Sequence, residues 1–414
     1  MAILGAPVFI VISSFAMLGF YLADIPIAVI IVDIYNKFSN TPLLYTIPLF
    51  TFAGYILAES KTSVRIVNFS RAVLGWLPGG LAIVSLAVCA FFTAFTGASG
   101  VTIIALGGLL YPALLKEKYP EKFSLGLITS SGSLGLLFPP SLPIILYGVV
   151  SETSINQLFA AGLIPGILLI LLLSVYSLTT AKKKDVVKSR FYFKDVLKAT
   201  YEAKWELLIP FIIIVGIYGG FVTLGEVATI TIVYALIIEV FIYRDIRISK
   251  IPDIMVRSMV LVGGILVILG SAYGLTNYII DARVPMTILN VMENYISSRF
   301  VFLIVLNVFL LIVGCVLDIY SALLVVVPLI LPIAISYNVN PVHLGIIFLT
   351  NLEIGYSTPP VGMNLFISCF RFKKPVTTLY RASIPFLIIL FAGLMIITYV
   401  PELSLGLVEY FGIK

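Results

Sequence analysis

The sequence predicts an all-α integral membrane protein, built as an inverted repeat with two re-entrant hairpins and two discontinuous helices. Three observations predict it. Of 414 residues, 60% are hydrophobic and 11% charged, against about 25% charged in a soluble domain. Long apolar runs follow one another from end to end, several of them about 20 residues long, the length that crosses a bilayer's hydrocarbon core. Finally, Gly135-Leu-Leu-Phe-Pro139-Pro140 returns as Gly355-Tyr-Ser-Thr-Pro359-Pro360 at an offset of 220 residues.

Taken in order, the apolar runs place crossings near Ile3 to Leu22, Leu43 to Ala58, Phe123 to Val150, Leu158 to Thr179, Leu207 to Val222, Val227 to Tyr243, Met255 to Ile280, Leu344 to Phe370 and Ile384 to Val400. Leu77 to Leu115 and Phe300 to Ile335 each hold two apolar stretches around a short polar tip, Thr96-Gly-Ala-Ser-Gly100 and Gly314-Cys-Val-Leu-Asp-Ile-Tyr-Ser321. Both read as hairpins that enter and leave by one face. The chain then divides into a first half over 1–185, with an arm helix at 60–75, a hairpin at 77–117 and a broken helix at 123–150. A cytoplasmic connector and linking helix cover 186–222, and a second half over 223–414 holds a hairpin at 299–336 and a broken helix at 342–370. The arm is amphipathic, with Lys61, Arg65 and Arg71, and lies along the cytoplasmic surface in this reading; a plain connecting helix fits it equally well.

The basic residues test this layout, because cytoplasmic loops carry the excess of Lys and Arg. With the N-terminus inside, 22 of the 26 basic residues fall on the cytoplasmic side, and only Lys37, Arg283, Arg299 and Lys414 fall outside. Counting either hairpin as a full crossing would flip every later loop and destroy the asymmetry. The net charge of +6 is thus a matter of orientation, and it calls for no nucleic-acid partner. Met1 to Pro7 shows neither a basic leader nor a cleavage site and reads as the start of the first span, without a signal peptide.

Pro112 and Pro332 keep the 220-residue offset, and Leu125-Gly126 and Leu344-Gly345 match at 219. Five crossing steps separate the two Pro-Pro spans in this layout, and an odd number turns the second copy upside down. Proline inside a helix removes a donor and clashes with the preceding turn, so both spans should break near the midplane. Irregular backbone facing lipid is too costly, so it must be packed in protein or line a polar cavity. Unwound carbonyls with Ser and Thr hydroxyls suit a small cation, while half-helix N-termini present positive dipoles to an anion.

The stretches Phe91-Phe-Thr-Ala-Phe-Thr-Gly-Ala-Ser-Gly-Val-Thr102, Gly132-Ser-Leu-Gly-Leu-Leu-Phe-Pro-Pro-Ser141 and Leu158-Phe-Ala-Ala-Gly-Leu-Ile-Pro-Gly166 resemble the large membrane subunit of tripartite ATP-independent periplasmic (TRAP) transporters. So does Asn351-Leu-Glu-Ile-Gly-Tyr-Ser-Thr-Pro-Pro-Val-Gly-Met-Asn-Leu-Phe366, with Pro48 to Gly54, Leu77 to Gly80 and Thr398 to Pro401 in support. The resemblance covers nearly the whole chain. It departs at the first tip, where the family's Ser-Gly-Ser-Ser-like sequence is Thr96-Gly97-Ala98-Ser99 here, one hydroxyl fewer.

The resemblance implies an elevator-type carrier of the inner membrane that moves carboxylates inward with sodium as the coupling ion and no cofactor. It also implies a periplasmic solute-binding protein that delivers substrate and a small four-helix membrane subunit that braces the scaffold. A stand-alone sodium/dicarboxylate carrier of the same architecture, working without a binding protein, is the alternative. One sodium site is expected around Thr96, Gly97, Ser99, Ser131, Gly132 and Gly135. The other is expected around Gly314, Asp318, Thr350, Asn351, Gly355 and Thr358. Asp318 would neutralise a cation in preference to capping a helix, and Glu353 would orient backbone or bind a proton. All 26 Lys and Arg residues lie at or beyond the ends of the assigned spans, so the substrate carboxylate would rest on sodium, on half-helix N-termini, and on Ser99, Thr102, Ser141, Thr358 and Asn351. Glu59, Glu152, Glu226 and Glu239 fall near span ends, facing water or a neighbouring base.

Other classes are excluded or disfavoured. No Gly-x-x-x-x-Gly-Lys-Ser/Thr motif occurs, so energy must come from an ion gradient. One histidine, His343, and three scattered cysteines, Cys89, Cys315 and Cys369, make neither a catalytic set nor a metal-ligand pattern. They read as structural residues, and the chain as a non-enzyme.

Overall fold

A computed structural model of the chain describes residues 7–77, 79–183, 192–219, 221–293, 295–296 and 298–413. The expected start of the first span at Ile3, Pro78, the connector residues 184–191 and Lys414 lie outside them. Every regular element among the described residues is helical. The first part runs α1 (Val8–Leu22), α2 (Ala28–Asn40), α3 (Thr46–Glu59), α4 (Thr62–Leu74), α5 (Gly80–Thr96), α6 (Ser99–Lys116), α7 (Glu121–Ser131), α8 (Leu142–Ser151) and α9 (Ile155–Lys183). It continues with α10 (Phe193–Tyr218), α11 (Leu224–Leu236), α12 (Ile251–Asp281), α13 (Val284–Glu293), α14 (Arg299–Val316), α15 (Ile319–Ser336), α16 (Pro341–Gly355), α17 (Met363–Phe372), α18 (Val376–Tyr399) and α19 (Glu402–Tyr410).

Seven helices among the described residues are long and apolar enough to cross a membrane, or up to nine if each of two bent pairs counts as one span. Val260, Ile312 and Ile388 are exposed on their surfaces, as are Phe15 on α1 and Phe211 on α10, an apolar exterior that water would not tolerate and lipid does. Both Pro-Pro segments interrupt their helices. α7 gives way to a short 3-10 turn at Leu134–Leu137 before α8, a bend of 45°, and seven residues, 356–362, separate α16 from α17. Both Pro-Pro peptide bonds are cis.

Three helices were not foreseen. α2 fills the segment between Leu22 and Leu43, for which the sequence predicts no element. Its apolar side packs on α12, more than 200 residues away in sequence, so nothing local announced it. α13 and α19 were likewise missed. α10 begins at Phe193 instead of Leu207, because Lys194, Lys198 and Lys204 are good helix formers and do not end a helix merely by being charged.

Helices from the two ends of the chain interleave. α1 packs on α12 and α11 on α3; α6 packs on α17 and α15 on α8; α7 packs on α18 and α9 on α16. The arm helix α4 lies between α5 and α10, fixed by a buried ionic knot. Arg65 donates from Nη1 to Asp245 Oδ2 at 2.6 Å and from Nη2 to Glu239 Oε2 at 2.9 Å, and its Nε meets Glu206. The guanidinium also stacks 3.8 Å from the Tyr243 ring centroid. Thr62 donates to Glu239 Oε1 at 2.8 Å and Tyr243 to Glu206 Oε2 at 2.9 Å. A π-turn at Ile237–Ile242 carries Glu239 into the knot. Burial works against the Arg65 charge, but hydrogen bonds to Asp245 and Glu206 and the fields of Glu206 and Glu239 outweigh it and hold its pKa above the ordinary value.

Candidate functional site

The candidate site lies where two helix tips meet two helix breaks. The first tip is the gap Gly97-Ala98 between α5 and α6. Gly97 has φ of +65°, and a Cβ there would lie 2.8 Å from Leu142 Cβ, so glycine alone makes this turn beside the start of α8. Thr96 Oγ1 donates to the Ala98 carbonyl at 3.4 Å. Ser99 opens α6, and Thr102, one turn on, shares a 2.6 Å hydrogen bond with Thr93. Thr93 Oγ1 also donates to the Gly132 carbonyl at 2.7 Å, which ties this tip to the first break. Ser131 and Gly132 end α7 there, and Gly135 sits in the 3-10 turn against the Ala90 carbonyl of α5.

The second tip repeats the arrangement with different chemistry. Asp318 is the N-cap of α15: its Oδ2 accepts from the backbone N–H groups of Tyr320 and Ser321, each at 3.1 Å, and its Oδ1 from the Ser321 hydroxyl. The carboxylate thus serves as the helix cap that the sequence reading ranked second to a cation ligand. Gly314, at the end of α14, lies against Gly355, at the end of α16; a Cβ on Gly355 would sit 2.7 Å from the Gly314 backbone. The Ile319 N–H donates to the Tyr356 hydroxyl. Thr350 and Thr358 donate back to the carbonyls of Ile346 and Ile354, at 2.7 and 2.8 Å, which leaves their oxygen lone pairs as acceptors.

The two assemblies are joined to each other. Tyr320 Oη donates to the Gly97 carbonyl at 2.9 Å, linking tip to tip. Ser133 Oγ donates to the Glu353 carbonyl at 3.2 Å, linking break to break at an offset of 220 residues. The Asn364 amide nitrogen, near the start of α17, lies 3.4 Å from the Thr129 carbonyl and from Ser133 and Ser357.

Several fully buried polar atoms here have no protein partner: Ser130 Oγ, Ser141 Oγ, Asn351 Oδ1, Asn364 Oδ1 and both carboxyl oxygens of Glu353. Ser141 is the N-cap residue of α8, yet its hydroxyl makes no cap hydrogen bond. Buried polar atoms are ordinarily paired, so this concentration sets the region apart. No Lys or Arg occurs in residues 79–115, 123–151 or 300–370. What the arrangement offers is oxygen acceptors, a few N–H and O–H donors, and the starts of α6, α8, α15 and α17.

Sequence reasoning missed Thr93, Ser133, Asn307, Tyr320, Tyr356 and Asn364, which supply most of the ties. Asn307 alone left a signal, as the one amide inside the apolar run of α14. Of the acids expected near span ends, Glu59 faces Arg257, Glu152 faces Lys37 and Glu226 caps α11; Glu239 is fully buried beside Arg65.

The family described as "Tripartite ATP-independent periplasmic transporter, DctM component" matches residues 1–403. The C4-dicarboxylate TRAP transporter large permease protein DctM of Pseudomonas aeruginosa is 35% identical over 90% of this chain and 87% of its own. The ectoine/5-hydroxyectoine TRAP transporter large permease protein UehC of Ruegeria pomeroyi is 31% identical over 98% and 95%. The isethionate TRAP transporter permease protein DctMQ of Oleidesulfovibrio alaskensis is 33% identical over 97% of this chain and 64% of its own greater length. Among solved structures, the Alcanivorax borkumensis YdaH transporter, described as having an unusual topology, aligns with a TM-score of 0.65 at 12% identity over 90% of this chain and 88% of that one, a likeness of fold alone.

Proposed function

Because the chain belongs to the DctM family of TRAP transporters, as a multi-pass large permease subunit for carboxylates or related organic solutes, we propose that it carries a small organic anion into the cell by sodium symport. The observation that carries this reading is the cluster of buried oxygen acceptors without partners at the meeting of tips and breaks. An anion brought there finds no basic side chain, and a bare buried carboxylate costs several kcal/mol. Helix N-termini contribute about 0.3 to 2 kcal/mol each, which helps without sufficing. A bound cation completes the compensation, and acceptor oxygens of hydroxyls and carbonyls are the donor set that sodium takes.

In this proposal one sodium sits among Thr96, Gly97, Ser99, Ser131, Gly132 and Gly135. A second sits among Gly314, Asp318, Thr350, Asn351, Gly355 and Thr358. The substrate carboxylate lies between them, against Ser99, Thr102, Ser141, Thr358 and Asn351, with Ser99 and Ser141 as hydroxyl donors and the acceptor oxygens of Thr358 and Asn351 turned toward the cations. The tips and breaks move together as an elevator past the scaffold that the arm knot holds. The hairpins are re-entrant, one from each face of the inner membrane, with the N-terminus cytoplasmic and the C-terminus periplasmic. A small four-helix membrane subunit braces the scaffold, and a periplasmic solute-binding protein delivers the substrate.

The test is uptake into proteoliposomes holding the chain with these two partners, using a panel of carboxylates. A sodium gradient should drive accumulation, and sodium and substrate should raise each other's affinity by the same factor. Uptake driven equally well by a proton gradient without sodium would sink the proposal.

A further inference from the structure

Beyond the residues that would touch ion or substrate, a buried chain of hydrogen bonds runs from the second break to the last helix. Asn351 Nδ2 donates to Asn307 Oδ1 at 2.7 Å and to the Ile347 carbonyl at 2.8 Å. Asn307 Nδ2 donates to Thr398 Oγ1 at 3.1 Å. The Thr398 carbonyl meets His343 Nε2 at 3.2 Å, and His343 Nδ1 meets Ser404 Oγ at 3.2 Å. The five side chains come from α16, α14, α18 and α19 and are all 1% exposed or less.

The direction of every bond follows from two carbonyls. The Ile347 carbonyl can only accept, so the Asn351 nitrogen must face it, and the Asn351 oxygen points the other way. Asn307 must then present its oxygen to Asn351 and its nitrogen to Thr398. The Thr398 carbonyl likewise can only accept, so His343 carries its proton on Nε2 and takes the Ser404 hydroxyl on Nδ1. One consequence stands out: Asn351 Oδ1 is fully buried and has no protein partner, while its amide is held from the opposite side at both nitrogen protons.

We propose that Asn307 is a positioning residue that fixes the Asn351 carbonyl as a ligand for the coupling cation, with Thr398, His343 and Ser404 holding Asn307 in turn. The proposal rests on the sodium-symport reading above. Groups one step behind a metal ligand set its orientation, and their loss typically weakens metal binding about 10- to 100-fold.

The experiment is sodium-titrated uptake by the reconstituted transporter with its partners, comparing wild type with Asn307→Leu, Asn307→Asp and Thr398→Val. Asn307→Leu should raise the sodium concentration for half-maximal uptake about tenfold, with a distinctly smaller rise in the substrate half-saturation at saturating sodium, since Asn351 also borders the substrate. Asn307→Asp, whose buried carboxyl is neutral, keeps one acceptor and one donor and should restore much of the sodium affinity. Thr398→Val removes only the hydroxyl that orients Asn307, and it should shift sodium in the same direction if Asn307→Leu does not fold. A wild type without sodium dependence would overturn the symport reading. A sodium-dependent wild type whose Asn307 and Thr398 variants keep its sodium half-saturation would overturn this inference alone. Loss of maximal rate and thermal stability without a sodium shift would also overturn it, since that marks a merely structural role.

Discussion

The arm and the breaks both bury polar groups, and they treat them in opposite ways. Around Arg65, both oxygens of Glu206 and both of Glu239 have donors. Around the Pro-Pro segments, the carboxyl of Glu353, two amide oxygens and two serine hydroxyls have none. Burial of a polar group is costly unless it is paired, so a region that completes its pairing gains a single fixed arrangement. A region that leaves acceptors open gives up stability and keeps the capacity to bind. The arm is read as scaffold and the breaks as site on that contrast.

The contrast predicts how variants divide. Arg65→Leu should have the largest effect on folding, because it strands three carboxylates in the interior; breaking a buried pair costs about 3–5 kcal/mol. Thermal unfolding of the detergent-solubilised protein should show a large drop, and a stability near wild type would mean that the knot is solvated. Gly355→Ala should come next, at about 1–3 kcal/mol for overpacking, since the new Cβ would sit 2.7 Å from the Gly314 backbone. Uptake should fall with it, as tip and break can no longer close on each other.

Glu117→Gln should matter less. Glu117 bridges to Arg71 at 2.7 Å, and burial pushes its carboxyl above the usual carboxylate range, with Arg71 partly offsetting the rise. A folded pKa above the unfolded one means that this group's contribution is fully present below the unfolded pKa and is lost as pH rises through the folded pKa. The variant should flatten that slope and change stability by less than about 1 kcal/mol, read from unfolding across the acidic range. A steeper slope in the variant would contradict the assignment. Ser141→Ala should change stability least, within about 0.5 kcal/mol, because its hydroxyl has no partner to lose. Uptake should nonetheless fall roughly tenfold, the worth of one hydrogen bond to a charged ligand. Unchanged uptake would remove Ser141 from the site.

The breaks were legible in the sequence because their signal is local. Pro139-Pro140 and Pro359-Pro360 sit inside apolar runs, and proline acts on the turn that precedes it. The turns at Gly97-Ala98 and Leu317-Asp318 are legible for the same reason, and a helix, α4, stands at Thr62–Leu74, where the sequence places the arm. The knot was not, since Arg65 lies 141 residues from Glu206, 174 from Glu239 and 180 from Asp245. Nothing near Glu239 in sequence distinguishes it from an acid facing water. Ser133, Asn364 and Tyr320 escaped for the same reason, as their partners lie more than 200 residues away. α2 was missed because its partner helix is equally remote. The N-cap role of Asp318 was less legible, because it depends on which residue of the polar tip 314–321 begins α15.

The most direct test of the division between scaffold and site is hydrogen exchange of the reconstituted protein in sodium against potassium at equal ionic strength, read segment by segment. Sodium should slow exchange in 93–102, 129–141, 314–321 and 350–364, and leave the arm at 62–74 and its partners at 237–247 unchanged. Protection confined to the arm, or no difference between the two salts, would contradict the account.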